Sequence, residues 1–484
     1  MAPNNSDFFD VVVVGAGPAG VVAALRAARL GARTALLTRD EFGGMGANDG
    51  PIPVRTLAHA ARLFREARQL PDYGITSGTP SLHYPTLLGR VAEVTELVRT
   101  RSFLREDLDN AGVTIHERCG PARFTDSHEL ATSSGLRLEA QKAILCTGGA
   151  SRPLAVPGFE LTCTHSDAWG LSSVPESMIV VGAGATGVQV ASIFNAFGSR
   201  LTLLEVAPSI LATEDGDVAA TMREALETSG IDVREDVGGI ERFETCSSGV
   251  RVVCAKYGAS EPIDATLAVV AIGWVANTAE LNLAAAGVGT TERGYVDVDP
   301  HLRTSAPHIF AAGDATGRLM VVHEAMREGY VAATNAVLDS AAPITPVPSP
   351  IGSFTDPEYA SVGLSEASAR QAHDVLVVTE PFDRLPRPLI DGRPVGFCKL
   401  IVDREQQRVL GCHIVGERAV ELAQLGAVAI ASGMTIDELA LVPFSFPTYA
   451  NALGRAAVTA ARELLGTRIG IEPFDVAPDR TSDA

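Results

Sequence analysis

The chain has 484 residues, enough for two to four domains each with its own core. At 46% hydrophobic and 20% charged its composition is that of an ordinary globular protein, which excludes a disordered chain or a disulfide scaffold. A formal net charge of −19 weighs against nucleic acid or an anionic membrane as a main partner.

The cysteines Cys119, Cys146, Cys163, Cys246, Cys254, Cys398 and Cys412 are scattered, without a Cys-x-x-Cys pair. That usage predicts reduced thiols, mostly buried as small apolar residues, Cys146 and Cys163 included. No charged-then-apolar leader precedes the first predicted strand, and no unbroken apolar run of about 18 residues occurs. The expectation is a cytoplasmic protein.

In chain order, Asp10-Val-Val-Val-Val predicts a buried parallel strand entering the turn Gly15-Ala-Gly17-Pro-Ala-Gly20 and then an alanine-rich helix. The pattern recurs 167 residues later (182 − 15): Met178-Ile-Val-Val enters Gly182-Ala-Gly184-Ala-Thr-Gly187. Each first glycine permits the tight turn, each second lets the backbone approach a pyrophosphate, and each third lets helix and strand pack closely. The helix N-terminus adds free N–H groups and a positive dipole. A single such pattern is weak; two, each between a strand and a helix, predict two dinucleotide sites.

An acidic residue about 20 positions on accepts the ribose hydroxyls in such sites. In the second repeat it is Glu205, which ends the predicted strand Leu201-Thr-Leu-Leu and lies 23 residues (205 − 182) after Gly182. A carboxylate there repels a 2′-phosphate and no arginine cluster follows, so NADH is favoured over NADPH. The same offset from Gly15 reaches Thr38, which can hydrogen-bond one hydroxyl but lacks a charge-assisted pair worth about 1.5–3 kcal/mol.

Further along come Gly43-Gly44-Met-Gly46-Ala-Asn-Asp-Gly-Pro51-Ile-Pro-Val-Arg55, the strand-and-turn Ala143-Ile-Leu-Cys-Thr147-Gly148-Gly149, and Ile309-Phe-Ala-Ala-Gly313-Asp314. A proline-rich linker from Ala342 to Pro350 separates these from Phe354–Gly363, Gly411–Arg418 and Phe444-Ser-Phe-Pro-Thr-Tyr-Ala-Asn-Ala-Leu. Taken in order, the segments resemble the pyridine nucleotide–disulfide oxidoreductases over nearly the whole chain, and most nearly their soluble transhydrogenase and dihydrolipoamide dehydrogenase branches.

The resemblance implies an α/β fold: two Rossmann-like domains, for FAD and NAD, and a C-terminal α+β dimerisation domain. The boundaries it suggests are 1–170 with 296–345 for FAD, 171–295 for NAD(P), 346–471 for the interface, and a disordered tail over 472–484. FAD would be held by Gly15, Gly17, Gly20, Thr38, Gly44, Thr147, Gly148, Gly313 and Asp314, and NAD(P)H by Gly182, Gly184, Gly187 and Glu205. It also implies a homodimer in which one subunit completes the other's flavin site.

The departures from the family pattern matter most. Gly46 and Pro51 stand where the family carries its two redox cysteines, and neither can form a thiolate or a disulfide. Phe446 stands at the family's acid/base histidine, and Asn451 at the glutamate that orients it. A thiol–disulfide exchanger needs both a nucleophile and a proton shuttle. The family's lysine–glutamate pair becomes Arg55 and Gln189, which leaves the guanidinium charge uncancelled by that partner, available to an anionic flavin or substrate. Other candidate proton donors are His323, His59 (at i+4 from Arg55) and Tyr449.

Three functions fit this pattern. One is an FAD oxidoreductase passing hydride from NAD(P)H to a small non-disulfide acceptor, quinone-like or NADP. A second is a flavoenzyme that oxidises or rearranges a specialised small molecule, its nicotinamide site vestigial. The third is a non-catalytic FAD-containing binding protein.

Overall fold

A computed structural model describes residues 8–466 except 77, 103, 257 and 258, so the tail expected over 472–484 lies outside the described residues. The chain forms two compact units: residues up to Ile210 with Gly230–Pro346, and Leu211–Ser229 with the chain from Val347.

The first unit contains a seven-stranded sheet, parallel except at strands Ala122–Phe124 and Glu129–Thr132, and a five-stranded parallel sheet. In one, strand Phe8–Val14 pairs in parallel with Thr34–Leu37 on one side and Arg137–Leu145 on the other. Thr114–His116 extends the first edge, and Ile309–Ala311 returns 164 residues (309 − 145) later to pair in parallel with Ala143–Leu145. Val11 to Val14 are all buried, as an uninterrupted valine run must be in a sheet covered on both faces. Helix Pro18–Arg29 covers this sheet beside helix Val322–Leu338. Alanines make that close packing possible: Ala23, Ala24 and Ala27 share one buried cluster with Ala332, Ala333 and Ala336.

The second sheet is parallel throughout, in the order Asp232–Arg234, Arg200–Leu204, Ser177–Val181, Leu267–Val270, Cys163–Thr164. An antiparallel three-stranded sheet, Ile240–Cys246 with Gly249–Lys256 and Ala259–Ala265, accompanies it.

The second unit is α+β. Its five antiparallel strands run in the order Ile351–Ser353, Tyr359–Gly363, Val409–Val415, Phe397–Asp403, Val375–Pro381. Helices Ala419–Ala431 and Asn451–Leu465 bury their alanine faces with this sheet in one core. Helix Gly216–Thr228 belongs to this unit, although the sequence reading keeps it inside the segment 171–295. The reason is electrostatic. Lys399, only 1% exposed, donates to both Asp217 oxygens at 2.6 and 2.7 Å and lies 2.8 Å from Asp215, the residue just before this helix. Burial alone would lower the lysine pKa; the hydrogen bonds to Asp215 and Asp217 outweigh it and raise it.

Candidate active site and the family it defines

The first glycine loop is built for close approach. A Cβ on Gly20 would overlap the Gly15 carbonyl oxygen, so any larger residue would push the helix off its strand. Gly187 meets the Gly182 carbonyl in the same way. Helices Pro18–Arg29 and Ala185–Ala196 start at Gly17 and Gly184, and neither has a side-chain cap. A glycine turn opening a helix in this way is the arrangement that suits a dinucleotide phosphate.

Around the first loop the pattern residues converge. Gly43 donates its N–H to Ala16 O at 2.9 Å, laying the Gly43–Arg55 turn against the loop. Gly44 has φ +55, and a Cβ there would lie 2.6 Å from Gly17 Cα, so glycine is required. The Thr147 hydroxyl is buried without a hydrogen-bond partner within the protein. Asp314 Cβ lies 3.6 Å from the position a Cβ on Gly149 would take, and desolvation raises the Asp314 pKa. Thr38 is 5% exposed and donates to Glu41 O at 3.3 Å, keeping its oxygen as an acceptor. An orphaned hydroxyl, a desolvated carboxylate and an uncapped helix end fit a bound dinucleotide with polar hydroxyls.

At the second loop Glu205 follows its strand directly. Its carboxylate accepts the Ala183 N–H at 2.7 Å and the Ala207 N–H at 2.9 Å, tying strand end to glycine loop. Both oxygens retain acceptor capacity for ribose hydroxyls.

Of the candidate catalytic residues, Arg55 and His59 are exposed on helix Pro51–Gln69, which packs against the helix carrying Gln189. Arg55 has interactions within the chain, and Gln189 donates to Ala185 O at 3.2 Å. His323 sits in the first turn of helix Val322–Leu338; partial desolvation lowers its pKa, Glu324 opposes this and Arg327 adds to it. In the second unit Phe446 is 69% exposed, and Asn451 opens the last long helix.

Two expectations are corrected. Tyr449 is 7% exposed, packs on Phe382 and donates to Asp391 at 3.0 Å, which makes it a core residue of its unit and not a free proton donor. Cys163 is not a core residue: it is half-buried on the short strand Cys163–Thr164, at the sheet edge, whereas Cys146 is buried as expected.

Sequence reasoning missed three groups. Glu328 accepts the Gly313 N–H at 2.7 Å from beneath the loop, and burial pushes its pKa up to about 7. Asn277 donates to the carbonyls of Thr147 and Gly149 at 3.1 and 3.0 Å and holds that turn. Asp49, inside the turn itself, accepts from Ser166 at 2.6 Å. A glutamate in an amphipathic helix and an aspartate in a glycine-rich turn carry no local sign of burial.

Two glycine loops on separate sheets, each between parallel strands and a helix, and an antiparallel α+β unit toward the C-terminus have the architecture of an oxidoreductase that binds two dinucleotides. The family model described as pyridine nucleotide-disulphide oxidoreductase matches residues 9–329, and that of its dimerisation domain matches residues 349–457. The chain belongs to this family, whose cofactors are FAD and NAD(H). It is 33% identical over 473 residues to dihydrolipoyl dehydrogenase from Geobacillus stearothermophilus, covering 96% of this chain and 97% of that one. It is 34% identical over 479 residues to dihydrolipoyl dehydrogenase 2 from Haloarcula marismortui, with 95% and 98% covered. Among solved structures it resembles the HOCl-induced flavoprotein disulfide reductase RclA from Escherichia coli, with a TM-score of 0.82, 26% identity, and 93% and 99% covered. No helix among the described residues is long and apolar enough to cross a membrane.

Proposed function

We propose that this protein is an FAD-dependent oxidoreductase that passes hydride from NADH to a small organic acceptor, quinone-like or NADP, without a redox disulfide. The observation that carries this reading is the turn. Gly46 is buried in the short helix Gly44–Asn48, Pro51 begins the helix Pro51–Gln69, and no cysteine lies between Gly43 and Arg55. All seven cysteines of the chain lie elsewhere in the sequence, from Cys119 onward.

Bound FAD supplies a ring system that accepts two electrons from NADH and gives them up again. The residues supply the rest. Glu205 orients the adenosine end of NADH and disfavours a 2′-phosphate, and its two backbone hydrogen bonds support a nicotinamide site in use over a vestigial one. Arg55 provides a fixed positive charge for developing anionic character on the acceptor. Phe446, on a homodimer partner, would supply an apolar wall where the family presents its acid/base histidine, suiting a planar organic molecule. The homodimer is part of the proposal, supported by the match to the family's dimerisation domain.

The test is to mix purified protein with NADH anaerobically, follow the flavin band, and then add a benzoquinone or lipoamide. Rapid bleaching by NADH with reoxidation by the quinone and not by lipoamide is expected. Efficient reoxidation by lipoamide would overturn the reading.

A further inference from the structure

A chain of hydrogen bonds runs from the turn into the protein. Ser166 donates to Asp49 Oδ2 at 2.6 Å. Ser166 Oγ lies 3.4 Å from His165 Nε2, and His165 Nδ1 lies 2.7 Å from Ser151 Oγ. Four elements contribute: the turn, helix His165–Trp169, strand Gly149–Ser151, and strand Trp274–Ala276, whose Trp274 packs edge-on against the imidazole at 4.6 Å. His165 is 4% exposed. A capping box between Thr164 and Asp167 fixes the start of its helix.

The polarity of the chain follows from donor arithmetic. An ionised Asp49 only accepts, so Ser166 must donate to it. Ser166 Oγ then accepts from His165 Nε2–H, and Nδ1 accepts the Ser151 hydroxyl proton. Burial lowers the His165 pKa to about 4, against an opposing pull from Asp167, so the imidazole is neutral and the tautomer is defined. Protonating Asp49 allows every bond to reverse, which moves one proton along the chain with no residue left charged. The other ionisable groups nearby are Asp167, Cys163 and Arg152, which bonds the Trp274 carbonyl.

We propose that Asp49 is the acid/base of the substrate pocket and that Ser166, His165 and Ser151 form the relay that returns its proton. The inference rests on the proposed function. Between Gly43 and Arg55 the ionisable side chains are Asp49 and Arg55 alone, and arginine does not exchange its proton near neutral pH. Reduction of a quinone-like acceptor needs two electrons and two protons. NADH gives both electrons with one proton as hydride, Asp49 gives the second proton, and the relay restores it from solvent. Asp49 would touch the acceptor; Ser166 and His165 act through it as positioning residues.

Two measurements test this. In the holoenzyme, Asp49→Asn should slow reoxidation by benzoquinone about 100-fold relative to the variant's own reduction by NADH, and Ser166→Ala should slow it about 10-fold. Independently of turnover, ¹⁵N resonances of the imidazole should show His165 neutral and protonated at Nε2 at pH 6, with the tautomer shifted in Ser166→Ala. A charged His165 at pH 6, an unmoved tautomer, or an unchanged reoxidation-to-reduction ratio in Asp49→Asn would overturn the relay. Failure of NADH to bleach the wild-type flavin would overturn the proposed function instead, and the tautomer measurement would still decide the relay.

Discussion

Glu328 accepts the backbone N–H of Gly313 at 2.7 Å, so a buried carboxylate supports the loop that carries Asp314. Burial raises its pKa from 4.5 to about 7, which Gly313 and Arg318 only partly oppose. The folded protein therefore binds a proton there that the unfolded chain has released. Its stabilising effect is fully present below about pH 4.5 and is lost as pH rises to about 7. The difference is on the order of 3 kcal/mol. Glu328→Gln should flatten the stability curve between these pH values, measured by urea unfolding of the apoprotein at each pH. An unchanged slope would count against it.

Replacing Gly20 with alanine drives a methyl into the Gly15 carbonyl and displaces the helix that closes the first loop. Purified Gly20→Ala should contain little FAD, read from the flavin-to-protein absorbance ratio, while its far-ultraviolet circular dichroism stays close to that of the parent. Full flavin content would contradict the assignment of this loop.

Glu205 accepts the backbone N–H groups of Ala183 and Ala207, and the proposed function makes it the group that receives the NADH ribose. Glu205→Ala should raise the KM for NADH about tenfold and narrow the preference over NADPH. The narrowing tests nucleotide recognition, because mere loosening of the loop would raise both KM values in proportion.

Lys399 is buried against Asp215 and Asp217. Lys399→Met leaves these carboxylates without their cation and should destabilise the protein by about 3–5 kcal/mol, seen as a lowered denaturant midpoint. Restoring stability by the added change Asp217→Asn would support the charge argument.

The parts of the fold set by backbone contact are legible in the sequence. Gly20 and Gly187 are required by a carbonyl at fixed spacing, and the valine runs before them are required by burial on both sheet faces. The position of Glu205 at the strand end, against the second glycine loop, is legible because its offset follows from the geometry of strand, turn and helix. The site's support is harder to read. Asp49 and Ser166 lie 117 residues apart, and nothing near either announces the pair. Lys399 is a lone cation in the otherwise apolar run from Phe397 to Val402, and its partner, the acidic start of a helix 182 residues away, leaves no sign in that strand. The motif around Tyr449 offers it as a proton donor, but its contacts with Phe382 and Asp391 come from tertiary packing.

Counting electrons tests the central claim most directly. A flavin with no disulfide partner accepts two electrons; a flavin coupled to a redox disulfide accepts four. Anaerobic dithionite titration of the FAD-loaded protein should reach full bleaching at two electrons per flavin, with no additional thiols reactive to a disulfide dye. Uptake of four electrons with two new thiols per chain would show that a redox disulfide takes part.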